Sequence, residues 1–210
     1  MALLNQHRAD HLDCRATRRS DGLSVLANLR RLALFTLCFL SFGVCAPGVP
    51  THAQEPNPEY VLKAAFLYNF AKFVDWPAET FPATSTPVTI CTVGDEPFGS
   101  SLDAIAGKIV QKRALAIKRI RAGTAVNDCQ ILFISPSELP LPRALAHSLE
   151  KAPVLTVCDL DACAEQGIMI ELRKENEKVR LVVNLSSIQR AELKVSSHLI
   201  KLATLVERTH

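Results

Sequence analysis

Short apolar runs separated by helix-forming stretches are the feature that most limits the folds open to this chain. In chain order they occupy residues 88–93, 114–120, 130–134 and 154–157, and the second, which includes Lys118 and Arg119, is apolar only in part. Their length, and the β-branched composition of the first, are typical of buried strands. Helical stretches lie between the first and second runs and between the third and fourth. The pattern therefore predicts crossover connections and a largely parallel sheet.

A long helix is predicted ahead of the first strand. Asn57 is a preferred helix N-cap, and Pro58 suits the first helical position because its φ angle is already set. The stretch 60–74 contains neither Gly nor Pro, so we expect about four turns, ending at Trp76. Its polar residues do not share one face. This distribution is typical of a central helix that is covered on several sides, or of a helix with one apolar face left exposed for a partner.

The C-terminal part of the chain predicts a hairpin followed by helices. Residues 168–172 and 179–184 are two mainly apolar stretches joined by a charged turn, which is typical of an antiparallel hairpin. Residues 185–190 and 192–206 are expected to be helices. The expected fold class is α/β: a single three-layer domain with a mostly parallel sheet, a C-terminal antiparallel hairpin and flanking helices.

Charge is distributed unevenly along the chain. The net charge is +3, and residues 1–53 account for all of it with six arginines and three aspartates. Residues 54–210 are therefore neutral. A domain without net positive charge has little electrostatic attraction for the phosphate backbone of nucleic acid. We therefore expect no nucleic-acid partner.

The N-terminal segment has the pattern of a secretory signal. Two arginines precede an apolar run over 32–46, which is shorter than the roughly 20 residues of a membrane-spanning helix. We expect residues 1–53 to be a signal peptide with a long basic n-region, cleaved after Ala53, and residues 54–210 to be a single exported domain. A lipoprotein signal at Cys45 and an uncleaved anchor are the alternatives.

Four cysteines lie in the predicted exported domain: Cys91, Cys129, Cys158 and Cys163. An even number in such a domain predicts two disulfides, for which three connectivities exist. Cys91 and Cys129 lie on elements that a crossover sheet brings together, and Cys158 and Cys163 flank a tight turn. We therefore expect the bridges Cys91–Cys129 and Cys158–Cys163. The smaller bridge is expected to be the more exposed and the more easily reduced.

No catalytic, metal or cofactor site is expected. Ser197 and His198 are neighbours on a predicted helix, where their side chains point apart and cannot form a nucleophile–base pair. The histidines of the exported domain have no metal-ligand spacing. Gly94 and Gly99 lack the rest of a dinucleotide-binding fingerprint. We therefore expect a protein that is not an enzyme.

Five segments of the chain resemble the exported YfiR-like regulators. They are residues 62–77, 90–99, 129–135, 155–159 and 193–203. The first, Leu-Lys-Ala-Ala-Phe-Leu-Tyr-Asn-Phe-Ala-Lys-Phe-Val-Asp-Trp-Pro, and the last, Leu-Lys-Val-Ser-Ser-His-Leu-Ile-Lys-Leu-Ala, are the most specific. Two positions depart from the family pattern. Residues 167–170 read Gly-Ile-Met-Ile where the family often has Gly-Gly-Met-Ile, and Cys158 stands where many members have Ser.

The resemblance implies a periplasmic α/β protein that binds the exported sensor region of an inner-membrane diguanylate cyclase and holds the enzyme inactive. Release of the partner would raise cyclic di-GMP and favour biofilm formation. An outer-membrane releasing protein and a homodimer are left open as further partners. The alternative is a periplasmic small-molecule sensor, with its ligand at the carboxyl ends of the parallel strands near residues 94–99 and Asp159.

The partner surface is expected on the loop at 159–163 and the charged hairpin at 171–178. The candidate contact residues are Asp159, Asp161, Glu171 and Arg173. A disulfide that pins the loop would lower the ordering cost of binding. The alternative interpretation of these charges is a solvated rim of the sheet.

Overall fold

The structure, a computed structural model, describes residues 57–95, 97–138 and 142–207. The expected signal peptide and its cleavage site lie outside these residues. Among the residues described, no helix combines the length and the apolar character needed to cross a bilayer.

Helix α1 spans Pro58–Phe73 and confirms the predicted helix start. The Asn57 side chain accepts a hydrogen bond of 3.0 Å from the backbone N–H of Glu59, which is the N-cap interaction. One face of α1 is buried in the core. Val61 and Leu62 are each 45% exposed. The helix is therefore covered on one side and open on another.

Ten strands occur within the described residues. They are β1 (Val74–Asp75), β2 (Val88–Val93), β3 (Ile109–Val110), β4 (Arg113–Ile120), β5 (Ile131–Ile134), β6 (Leu155–Cys158), β7 (Ile170–Glu175), β8 (Lys178–Asn184), β9 (Lys194–Val195) and β10 (Ala203–Val206). Eight form the main sheet in the order β10-β8-β7-β6-β5-β2-β4-β3, and β1 pairs with β9 in a separate ribbon.

The main sheet is mostly parallel, as predicted. Strand β2 pairs parallel with β4 and β5, β5 with β6, β6 with β7, and β8 with β10. The antiparallel pairs are β3 with β4 and the predicted hairpin β7 with β8. Every residue of β2, β5 and β6 is buried. Burial on both faces explains why these strands are apolar runs without polar alternation.

Helices cover both faces of the sheet. Besides α1 they are α2 (Ser100–Asp103), α3 (Pro142–Ser148), α4 (Leu185–Arg190) and α5 (Ser197–Ile200). Phe133 of β5 belongs to the core shared with α1, α4 and α5, whereas Leu132 belongs to a second core shared with α3. Because neighbouring strand residues point to opposite faces, these cores lie on the two sides of the sheet. The three-layer α/β fold is confirmed.

The helix predicted over 192–206 is wrong. The segment instead forms β9, the short helix α5 and β10. Val195 pairs with Val74, and Ala203 pairs with Leu181 at the edge of the sheet. The reason is tertiary. Strand β8 has an edge whose backbone groups need partners, and a short apolar segment can meet that need as a strand although its own spacing suits a helix.

Both predicted disulfides are confirmed. The Cα atoms of Cys91 and Cys129 are 5.7 Å apart, and those of Cys158 and Cys163 are 6.7 Å apart. All four cysteines are buried. The expectation that the smaller bridge is exposed is therefore wrong, because both of its cysteines belong to the core shared with α3.

Candidate functional site

Where β6 ends, the Asp159 carboxylate lies against two side chains of α1. The Lys63 ammonium contacts Asp159 Oδ1, and the Tyr60 hydroxyl donates a hydrogen bond of 2.7 Å to Asp159 Oδ2. Lys63 Nζ also lies 2.5 Å from Glu59 Oε1. The second oxygen of Glu59 is 3.1 Å from Lys174 Nζ on β7. We call these five residues the Asp159 network.

The ion pairs of the Asp159 network matter for stability because three of its charged side chains are buried or nearly buried. Lys63 is fully buried, and the side chains of Asp159 and Glu59 are 10% and 19% exposed. A buried ammonium group is costly unless it is paired and hydrogen-bonded, and Lys63 meets this condition with two carboxylates. The network ties α1 to the loop that Cys158 and Cys163 close.

The Asp159 network shifts the pKa values of two of its members. Burial raises the pKa of the Tyr60 hydroxyl, and its hydrogen bond to Asp159 and the nearby carboxylate charges raise it further. The hydroxyl therefore keeps its proton and donates. Burial acts to raise the pKa of Glu59, but hydrogen bonds from Lys63 and Lys174 and the charges of these lysines outweigh it, so the pKa lies below its ordinary value of 4.5.

We expect Glu59→Gln to flatten the loss of stability on acidification. Because the folded-state pKa of Glu59 is depressed, its ionised form stabilises the fold above about pH 4.5. That contribution is lost as the pH falls through the folded-state value. Urea unfolding at a series of pH values should therefore show a steeper acid decline in the wild-type protein than in the variant.

The matched control is Glu175→Gln, which removes a carboxylate from the exposed pair with Arg180. This control should decline with acid about as steeply as the wild-type protein. If the free energy of unfolding of Glu59→Gln fell as steeply as that of the wild-type protein, the assignment of the acid-sensitive charge to Glu59 would be wrong.

A second buried carboxylate lies beside the same loop. Glu171 is fully buried, and its two oxygens accept hydrogen bonds of 2.6 Å from Arg173 Nε and 3.2 Å from the backbone N–H of Ala164. Arg173 also lies 4.0 Å from Glu165. These contacts hold the segment after β6 against β7.

The structure brings the four predicted contact residues to one corner but gives them different exposures. Asp161 is exposed and Arg173 is half-buried, whereas Asp159 is almost covered and Glu171 is fully covered. Glu171 therefore cannot contact a partner unless the loop at 159–163 moves away from it. Contact of Asp159, Asp161 and Arg173 with a partner stays a prediction.

The neighbouring corner after β2 is filled by the protein's own side chains. Gly94 has a φ of +91°, and a Cβ there would come within 2.6 Å of Ser137 Oγ and 2.9 Å of Ser135 Cβ. The Asp95 backbone N–H donates to Ser137 Oγ at 2.8 Å. Among the described residues, the two places where the alternative hypothesis puts a ligand are therefore engaged by the protein's own contacts, Gly94 with the serines after β5 and Asp159 with α1.

An open cleft lies at the opposite edge of the sheet, where β2, β5 and β6 begin. Its volume is about 860 Å³, and Thr89, Gln130 and Pro153 are among the residues that line it. Gln130 Oε1 accepts a hydrogen bond of 2.7 Å from the Thr89 N–H, and its carbonyl accepts one of 3.1 Å from the Trp76 indole. This cleft could not be predicted from the sequence, because its walls come from distant segments that share no recognisable spacing.

The residues that could carry other chemistry lie apart. No group of three or more His, Cys, Asp or Glu side chains suited to a metal ion occurs within the ranges that the structure describes. Ser197 and His198 lie on α5, and the His198 ring is 6.2 Å from that of Phe73. The expectation that the protein has no catalytic, metal or cofactor site stays a prediction.

Comparison with known proteins places this geometry in a family. No curated protein matches the chain. A family model described as YfiR/HmsC-like matches residues 60–204, a range that begins in α1, ends in β10 and includes both disulfides. At the level of the family, this match supports a periplasmic regulator of cyclic di-GMP signalling. The match covers more than half of the sequence, and the chain therefore belongs to the YfiR/HmsC-like family.

Proposed function

We propose that this protein is a periplasmic repressor that binds the exported sensor region of an inner-membrane diguanylate cyclase and holds that enzyme inactive. The observation that carries the proposal is the family match over residues 60–204, because the family is regulatory rather than catalytic. Release of the cyclase would raise cyclic di-GMP in the cytoplasm and favour biofilm formation. An outer-membrane protein is the proposed source of the releasing signal.

Two properties of the fold support this role. Disulfides persist in oxidising compartments such as the periplasm, and this chain has two that are buried in its core. The Cys158–Cys163 bridge and the Asp159 network also hold the loop after β6 against α1. A surface that is ordered before binding loses less conformational freedom when a partner docks.

Deletion of the gene is expected to raise intracellular cyclic di-GMP, because the cyclase would lose its inhibitor. Complementation with the full chain should restore the low level. The matched control is the same chain without residues 1–53, which should stay in the cytoplasm and fail to complement. Measurement of cyclic di-GMP by mass spectrometry checks each strain. An unchanged level in the deletion strain would refute the proposal.

The second candidate function is binding of a small molecule in the open cleft at the amino ends of β2, β5 and β6. Its volume of about 860 Å³ lies within the range of roughly 300–1,000 Å³ typical of ligand pockets. A compound that raises the midpoint of thermal unfolding, and that loses this effect in Asn127→Trp at the cleft wall, would favour this function. The two functions are compatible, since the cleft lies away from the Asp159 network.

A further inference from the structure

The open side of α1 forms one wall of an apolar groove. The other wall is α2 with the turn that follows it, and the volume between them is about 380 Å³. The lining residues that matter for the argument are Val61, Ala65, Tyr68, Ser101, Ala104 and Ile105. We call this feature the α1–α2 groove. Its lining is mainly apolar although it is open to solvent.

The spacing of residues along the groove suits a helix as the occupant. Val61, Ala65, Tyr68 and Lys72 follow one another at intervals of four, three and four residues, so they share one stripe of α1. Such a stripe packs against the apolar face of a partner helix. Small side chains, including that of Ala104 on the opposite wall, allow a partner backbone to approach closely. Both walls are helical or turn segments, so neither offers the free strand edge that an extended peptide needs.

One end of the groove is positively charged. The ammonium groups of Lys72 and Lys108 lie 5.6 and 5.3 Å from the centre of the Tyr68 ring. Both lysines are exposed, and neither forms an ion pair with a carboxylate among the described residues. An occupant with acidic side chains would therefore complement the end of the groove.

We infer that the α1–α2 groove is the docking site for an amphipathic acidic helix of the partner. The apolar stripe of that helix enters the groove, and its carboxylates pair with Lys72 and Lys108. The inference rests on the proposed function in one respect, namely that this helix belongs to the exported region of the cyclase. A second copy of this chain fits less well, because Glu59 is the acidic residue of α1 and it is already engaged by Lys63 and Lys174.

The first test reverses the charge at the end of the groove. Lys72→Glu combined with Lys108→Glu should raise cyclic di-GMP to the level of the deletion strain while lowering the midpoint of thermal unfolding by only about 2–4 °C, because Lys72 lies in the last turn of α1 and contacts the Tyr68 ring. The matched control combines Arg121→Glu with Arg143→Glu, which alters the net charge equally at exposed positions beside or on α3, on the other face of the sheet. The control should repress as the wild-type protein does. Full repression by the groove variant would overturn the inference.

The second test identifies the occupant directly. A photo-cross-linking amino acid is placed at Ala65 or Ala104 on the two exposed walls, and at Ala125 as an exposed control, in the full chain in living cells. The expected product joins both groove positions, but not the control, to one cyclase peptide with acidic residues and apolar residues at helical spacing. Cross-links to a second copy of this chain, to a segment that alternates as a strand, or to nothing would overturn the inference.

The results of these experiments distinguish failure of the docking site from failure of the proposed function. If deletion of the gene leaves cyclic di-GMP unchanged, the proposed function fails. If deletion raises cyclic di-GMP but the Lys72 and Lys108 variant still represses fully, the docking site alone fails. A cross-link from both walls to an acidic amphipathic helix of a protein without a cyclase domain would support the docking site and refute the cyclase as the partner.

Discussion

Replacement of Lys63 by methionine is expected to lower the free energy of unfolding by about 3–5 kcal/mol, the usual cost of breaking a buried ion pair from one side. Methionine keeps the unbranched shape of the lysine chain and removes the ammonium group. The change leaves Asp159 with Tyr60 as its remaining partner from α1, and Asp159 is only 10% exposed. Urea unfolding of the exported domain measures the loss, with an unchanged m-value if the two states keep their compactness.

The matched control is Lys118→Met. Lys118 pairs with Asp128 at 3.5 Å, but both side chains are largely exposed, so this substitution should cost about 0–1 kcal/mol. The double variant Lys63→Met with Asp159→Asn should cost less than the two single variants added together, because no buried charge of that pair remains unpaired. Similar losses for Lys63→Met and Lys118→Met would show that Lys63 is hydrated in solution.

The Asp159 network also changes how the predicted partner surface must be tested. Replacement of Asp159 by a basic residue would place a second cation beside Lys63 in the core and destabilise the fold. Loss of repression in that variant would then be explained by unfolding and would not show that Asp159 contacts a partner. Asp161 is exposed and has no such role in the core. A change at Asp161 alone therefore separates partner contact from stability, which a change at Asp159 cannot do.

Local signals explain why much of the fold could be predicted from the sequence. The pair Asn57 and Pro58 fixes the start of α1 through a contact two residues away. Strands β2, β5 and β6 are buried along their whole length, so each is a continuous apolar run that contrasts with its neighbours. In these segments the residues that determine the structure lie next to each other in the chain.

The parts that could not be predicted depend on distant partners. Lys63 lies 96 residues from Asp159 along the sequence, and no residue near Lys63 indicates that Asp159 is its partner. One signal was present: Lys63 lies on the same buried face of α1 as Leu67 and Phe70, and a charge on such a face requires a counter-charge. Strand β10 was missed for the same reason, since it forms only because the edge of β8 is open to it.

Loss of the Cys91–Cys129 bridge is the other change with a large expected effect. Replacement of both cysteines by serine should lower the free energy of unfolding by about 4 kcal/mol, because the bridge closes a loop with a sequence separation of 38. The pair Cys158→Ser with Cys163→Ser should cost about 2 kcal/mol, since its separation is 5. Urea unfolding of the oxidised exported domain compares the two double variants directly.

The comparison is well matched because all four cysteines are buried. Serine therefore introduces a similar number of buried hydroxyls in each double variant, and the difference between them reports the length of the closed loop. A loss for the Cys158 and Cys163 variant that equals or exceeds the other would contradict the chain-entropy account. Because a five-residue loop has little entropy to lose, such a result would mean that the smaller bridge acts on the folded state, by holding Asp159 in place against Lys63.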